Sequence, residues 1–80
     1  MITAYIRAAM ARAHYEILDE NHSYYGEIAG FDGVWASGPT LEQCRAELEE
    51  VLEGWILFRV HQRLSLPTVD GITLKISEVA

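Results

Sequence analysis

The apolar residues of this chain change period twice, and that switching restricts the fold more than any other feature. Ile2, Tyr5, Ile6, Ala9, Met10 and Ala13 follow the i, i+3, i+4, i+7 spacing that lines one face of a helix. At His14-Tyr15-Glu16-Ile17 the period drops to two, as in a strand with one buried face. Asp19, Glu20, Asn21, His22 and Ser23 are turn formers, so a second strand from Tyr24 to Ile28 is expected to return as a hairpin. Gly30, Asp32 and Gly33 break the chain again before a short third strand, Val34 to Ser37. Three sequential strands with tight connections make an antiparallel meander.

After Gly38 and Pro39 the helical period returns. Thr40-Leu41-Glu42-Gln43 is a capping box, in which Thr40 and Gln43 each satisfy a free backbone N–H, so a helix starts at Leu41. Its expected stripe runs Leu41, Cys44, Leu48, Val51, Leu52, Trp55 and Phe58, a span of about five turns. Glutamates crowd its first turns and Arg59, His61 and Arg63 its last, which suits the helix dipole at both ends. Pro67-Thr68-Val69-Asp70-Gly71 reads as a loop closed by a turn, and the alternation of Ile72, Leu74 and Ile76 predicts a half-buried final strand. The expected fold class is α+β: a helix over 2–12, a three-stranded meander, a long helix packed on the sheet, and a last strand. Residues 1–80 are expected to form one domain with its core in 13–79 and no separate DNA-binding domain.

Composition bears on partners. Half of the 80 residues are apolar and 22% are charged, a balance that supports one packed core. A core of this size gains only a few kcal/mol, so a disulfide, a metal or a partner subunit is expected to assist it. Cys44 is the single cysteine and has no internal partner, which points to a reducing, cytoplasmic setting. Twelve acids against six Lys and Arg give a formal charge of −6, which disfavours direct nucleic-acid binding and favours basic partners. The apolar run Trp55 to Phe58 is far short of the roughly 20 residues a membrane span needs. The first dozen residues carry Arg7 and Arg12 and no acid, and read as an ordinary first helix rather than a cleaved targeting segment.

Tyr24-Tyr25-Gly26-Glu27-Ile28-Ala29-Gly30-Phe31-Asp32-Gly33-Val34, then Ser37-Gly38-Pro39-Thr40-Leu41-Glu42 and an acidic helix reaching Trp55, resembles the HicB family of toxin–antitoxin antitoxins over residues 14–60. The resemblance implies a truncated ribonuclease-H-like fold with the last strand beside the first and the long helix over one face of the sheet. It also implies a function: an antitoxin-like module that binds and neutralises a small basic, RNA-cleaving HicA-like toxin. Members often carry a further DNA-binding segment, for which residues 72–80 are too short. The family's Pro-x-x-Pro-like turn is replaced here by Ala29-Gly30-Phe31-Asp32-Gly33.

Other chemistries are weaker fits. A ribonuclease-H-like nuclease needs several carboxylates converging on Mg²⁺, and Glu16, Glu27 and Asp32 are the candidates, with no certain common side. His14-x-Glu16 opens a zinc-deaminase signature whose cysteine pair this chain lacks, and His14, His22 and His61 are scattered. Cys44 on the apolar stripe reads as a buried structural thiol. No enzymatic activity and no cofactor are expected. Tyr24, Tyr25 and Trp35 have no basic residue interleaved with them, so cross-strand packing or a protein contact is expected rather than base stacking. Trp55, Leu57 and Phe58, with Ile56 and Val60, place apolar side chains on more than one face of the helix, which suggests a homo-oligomer interface as well as packing on the first helix. Gly54 suggests close approach of another element. A nuclease, or a stand-alone oligomeric domain without a toxin, remain the alternative functions.

Overall fold

A computed structural model describes residues 2–18 and 22–72. The order is α1 (Ile2–Ala11), β1 (Ala13–Leu18), β2 (Ser23–Ile28), β3 (Trp35–Gly38) and α2 (Leu41–His61). The strands form one antiparallel sheet in the order β1-β2-β3. This is the α+β arrangement expected, with each element within a residue or two of its expected bounds. The expected strand at Ile72, Leu74 and Ile76 lies outside the described residues apart from Ile72.

Small residues on the inner face of the sheet let α2 come close. Gly26 and Ala36 sit against the start of α2, where the Cys44 thiol donates to the Ala36 carbonyl at 3.6 Å. A Cβ on Gly26 would lie 2.8 Å from the Tyr15 ring, and one on Gly38 would lie 2.9 Å from the Cys44 backbone nitrogen. The expected N-cap forms, with the Gln43 N–H donating to Thr40 Oγ1 at 3.1 Å, while the Gln43 side chain accepts from the Thr40 hydroxyl at 3.2 Å where a reciprocal capping box would have it accept from the Thr40 backbone N–H.

The stripe that α2 buries is Cys44, Leu48, Leu52 and Ile56. This corrects the expected stripe at its ends, because Leu41 and Phe58 are exposed while Val51 and Trp55 are half-buried. Steps of four residues advance about 40° beyond a full turn, so the buried line drifts round the helix to Ile56 and leaves Phe58 outside. Tyr5, Ala9 and Met10 of α1 and Val69 of the C-terminal segment close the same core. Nothing among the described residues approaches Gly54, whose missing side chain faces open space, so the expected close approach there is not found.

The connection from β2 to β3 is two consecutive tight turns. Phe31 N–H donates to Ile28 O and Val34 N–H to Phe31 O, with Gly30 (φ 84°) and Gly33 (φ 88°) third in each turn, where only a positive φ fits. Phe31, at their junction, is buried between Tyr5 (6.2 Å between ring centroids) and Trp55 (5.1 Å).

Helix α2 ends in a Schellman motif: Leu64 N–H donates to Arg59 O and Arg63 N–H to Val60 O, with Arg63 left-handed at φ 59°. The segment that follows is tied back by Arg59 Nε to Ser65 O (2.8 Å) and by the Tyr5 hydroxyl to Pro67 O. Asp70 (φ 49°) and Gly71 (φ 78°) then reverse the chain, and Val69 and Ile72 exchange both backbone hydrogen bonds. Two successive positive φ values are the requirement of a type I′ turn, which Asp-Gly meets.

Candidate functional site

The sheet has one covered face and one open face, and register decides which residues lie on each. Pairing His14 with Glu27, Glu16 with Tyr25, Leu18 with Ser23, Tyr25 with Ser37 and Glu27 with Trp35 puts all of these on the side away from α2. Glu16 and Glu27, of uncertain side in the sequence, therefore share a face, as diagonal neighbours across β1 and β2. Trp35 is 55% exposed, and Tyr25 stacks on it with ring centroids 6.0 Å apart and planes 26° from parallel. The Tyr25 hydroxyl hydrogen-bonds to Glu27; partial burial first, and then the charges of Glu27 and Glu16, push its pKa up.

Around this pair the surface is concave on two sides. A cavity of about 170 Å³ separates Tyr25, Glu27 and Trp35 from the Gly30 to Gly33 turn. A groove of about 410 Å³ runs along the outer edge of β3, between Trp35 and Ser37 on one side and Glu47 and Val51 of α2 on the other.

The other expected site residues are divided. Tyr24 points to the inner side, where it is half-buried near the end of the sheet opposite Gly38. Trp55 is drawn into the core margin: its indole N–H donates to Asp32 O at 3.1 Å and Arg59 lies over its ring at 4.8 Å. Leu57 and Phe58 remain outside, at 64% and 59% exposure, on either side of Gly54. The structure thus joins Tyr25 with Trp35 and Leu57 with Phe58, as two separate surfaces. Sequence reasoning overlooked Glu16 and Glu27 as neighbours of the aromatic pair, although the alternation of β1 and β2 carried that information once the hairpin register was known.

Asp32 is exposed in the turn, and its backbone carbonyl is engaged by Trp55. Among the described residues no three His, Cys, Asp or Glu side chains converge as a metal site. Cys44 is fully buried and its thiol pKa is raised by that burial, as befits a structural thiol. No described helix is long and apolar enough to cross a membrane.

An α+β domain with an open, acidic and aromatic sheet face is the class that fold and surface define. The chain belongs to the UPF0150-like family, whose model matches residues 4–67. It is similar to TTHA0281 from Thermus thermophilus, a crystal structure with which it shares 40% sequence identity and a TM-score of 0.88, over 96% of this chain and 95% of that one. No curated protein matches it.

Proposed function

We propose that this protein is a HicB-like antitoxin module that binds a small basic, RNA-cleaving protein and neutralises it. The observation that carries this is the open sheet face, where an exposed Trp35 stacks on a half-buried Tyr25 beside Glu16 and Glu27. Aromatic side chains left in solvent are typical anchors of protein interfaces, and a face of one charge selects a partner of the other. Between residues 13 and 38 the acids are Glu16, Asp19, Glu20, Glu27 and Asp32, with no Lys or Arg among them. The association of UPF0150-like sequences with HicB-like antitoxins supports the same assignment.

The apolar end of α2 is assigned to a second copy of the chain. Leu57 and Phe58 offer contiguous apolar surface with no charge between them, and Gly54 beside them leaves room for a neighbouring helix. Leu57→Glu is expected to give a folded monomer by circular dichroism and light scattering. A wild type that stays monomeric at high concentration contradicts the assignment. Neutralisation is tested by co-expressing the chain with the basic protein encoded by the adjacent gene. Relief of growth arrest, with co-purification of the two chains, is the expected result.

A further inference from the structure

Resting on the reading of the molecule as a binder of a basic protein, the geometry points to a single-residue receptor on its surface: the cavity between Tyr25, Glu27, Trp35 and the Gly30 to Gly33 turn takes one arginine side chain of the partner. At about 170 Å³ it is below the roughly 300 Å³ at which small-molecule pockets begin, and is of a size for one inserted side chain. Its walls are complementary to a guanidinium, which is flat, cationic and rich in N–H donors. Trp35 supplies an exposed ring, Glu27 a carboxylate across the strand from it, and the turn backbone a polar rim.

The same molecule shows the pairing elsewhere: Arg59 lies over the Trp55 ring at 4.8 Å. Among the described residues no cation covers the ring of Trp35. Glu16 adds a second negative charge opposite Tyr25, and the whole segment from 13 to 38 brings no Lys or Arg that would compete. Arginine is favoured over lysine because its plane stacks on an indole while its edge donates to a carboxylate. A nucleic acid would present phosphates to Glu16 and Glu27 and be repelled.

The site can be tested without the toxin. Isotope-labelled protein is titrated with the capped tripeptide Gly-Arg-Gly, its Lys counterpart, its neutral citrulline counterpart and a single-stranded RNA octamer, while the indole N–H signals of the two tryptophans are followed. The Arg peptide is expected to shift the Trp35 indole saturably in the millimolar range, leaving that of Trp55, which is held by Asp32, in place. The Lys peptide is expected to bind severalfold more weakly and the citrulline peptide not measurably. Glu27→Gln, read at the Trp35 indole, and Trp35→Leu, read at the backbone amides of Glu27 and of Gly30 to Gly33 that line the same cavity, are each expected to weaken the Arg peptide about tenfold, with an unchanged Trp55 signal to show that the fold persists. Equal shifts with citrulline, no saturable shift at Trp35, or shifts spread over all acidic residues would overturn the receptor. Saturable RNA binding at Trp35 would overturn it in favour of base stacking. Failure here together with toxin neutralisation in co-expression discards the arginine receptor alone, whereas failure of neutralisation and co-purification discards the antitoxin reading.

Discussion

The two faces of strand β2 differ in what they leave room for. Inward it presents Tyr24, Gly26 and Ile28, and at Gly26 there is no space for even a methyl group, because Tyr15 and Cys44 occupy it. Outward it presents Ser23, Tyr25 and Glu27, and the large ring of Tyr25 lies against Trp35 with nothing described above the pair. Small residues where a helix must approach serve stability, whereas the large ones on the open face are the ones proposed to meet a partner. Substitutions on the two faces should therefore fail in different ways.

The largest effects belong to the inner side. Leu48→Ala, which empties a fully buried position beneath the sheet, is expected to lower stability by about 2–5 kcal/mol in urea unfolding. A loss below about 0.5 kcal/mol would mean that the core has been misplaced. The Cys44 thiol should likewise resist a thiol reagent in the native protein and react at a rate that follows unfolding.

An intermediate effect lies at the latch between α1 and the C-terminal segment. Tyr5→Phe removes the hydroxyl that donates to Pro67 O and is expected to cost about 1 kcal/mol at neutral pH. Burial raises the Tyr5 pKa above its ordinary value of 10.0, so the fold favours the neutral phenol. That contribution is complete below pH 10 and is lost as pH rises through the folded value. The Tyr5→Phe variant should accordingly lose less stability on the alkaline limb than the wild type, and identical slopes would contradict the assignment.

The smallest stability effects are expected on the outer face. Trp35→Leu forfeits the stack on Tyr25 and should cost about 1 kcal/mol, while Glu27→Gln should stay within about 0.5 kcal/mol by thermal unfolding. A loss of several kcal/mol at either position would make this face part of the fold's support and remove the contrast.

Much of the fold was legible in the sequence because period, turn chemistry and capping agreed. Thr40 to Gln43 marked the start of α2, Asp70-Gly71 marked the reversal, and the shift of period at Tyr15 separated helix from strand. The drift of the buried line from Cys44 to Ile56 was less visible, since Phe58 and Ile56 are equally apolar and only packing distinguishes them. Trp55 illustrates the same limit: the sequence put it both on the expected stripe and among the candidate interface residues, and only a hydrogen bond to the Asp32 carbonyl and contact with Phe31 show that it lies half-buried at the core margin. The outer site depended on the β1–β2 register, which pairs residues through a turn whose length alone does not fix it.

Central to this account is that the open face of the sheet, and not the buried one, carries the function. The most direct test is to search the neighbouring genes for a small basic protein and to titrate it calorimetrically into the purified chain, for wild type, Trp35→Leu and Glu27→Gln at a temperature where all three are fully folded. The account predicts tight binding by the wild type and at least a tenfold loss in both variants, with circular dichroism unchanged. Wild-type affinity retained by both variants, or the lack of any basic protein that binds the chain, would contradict it.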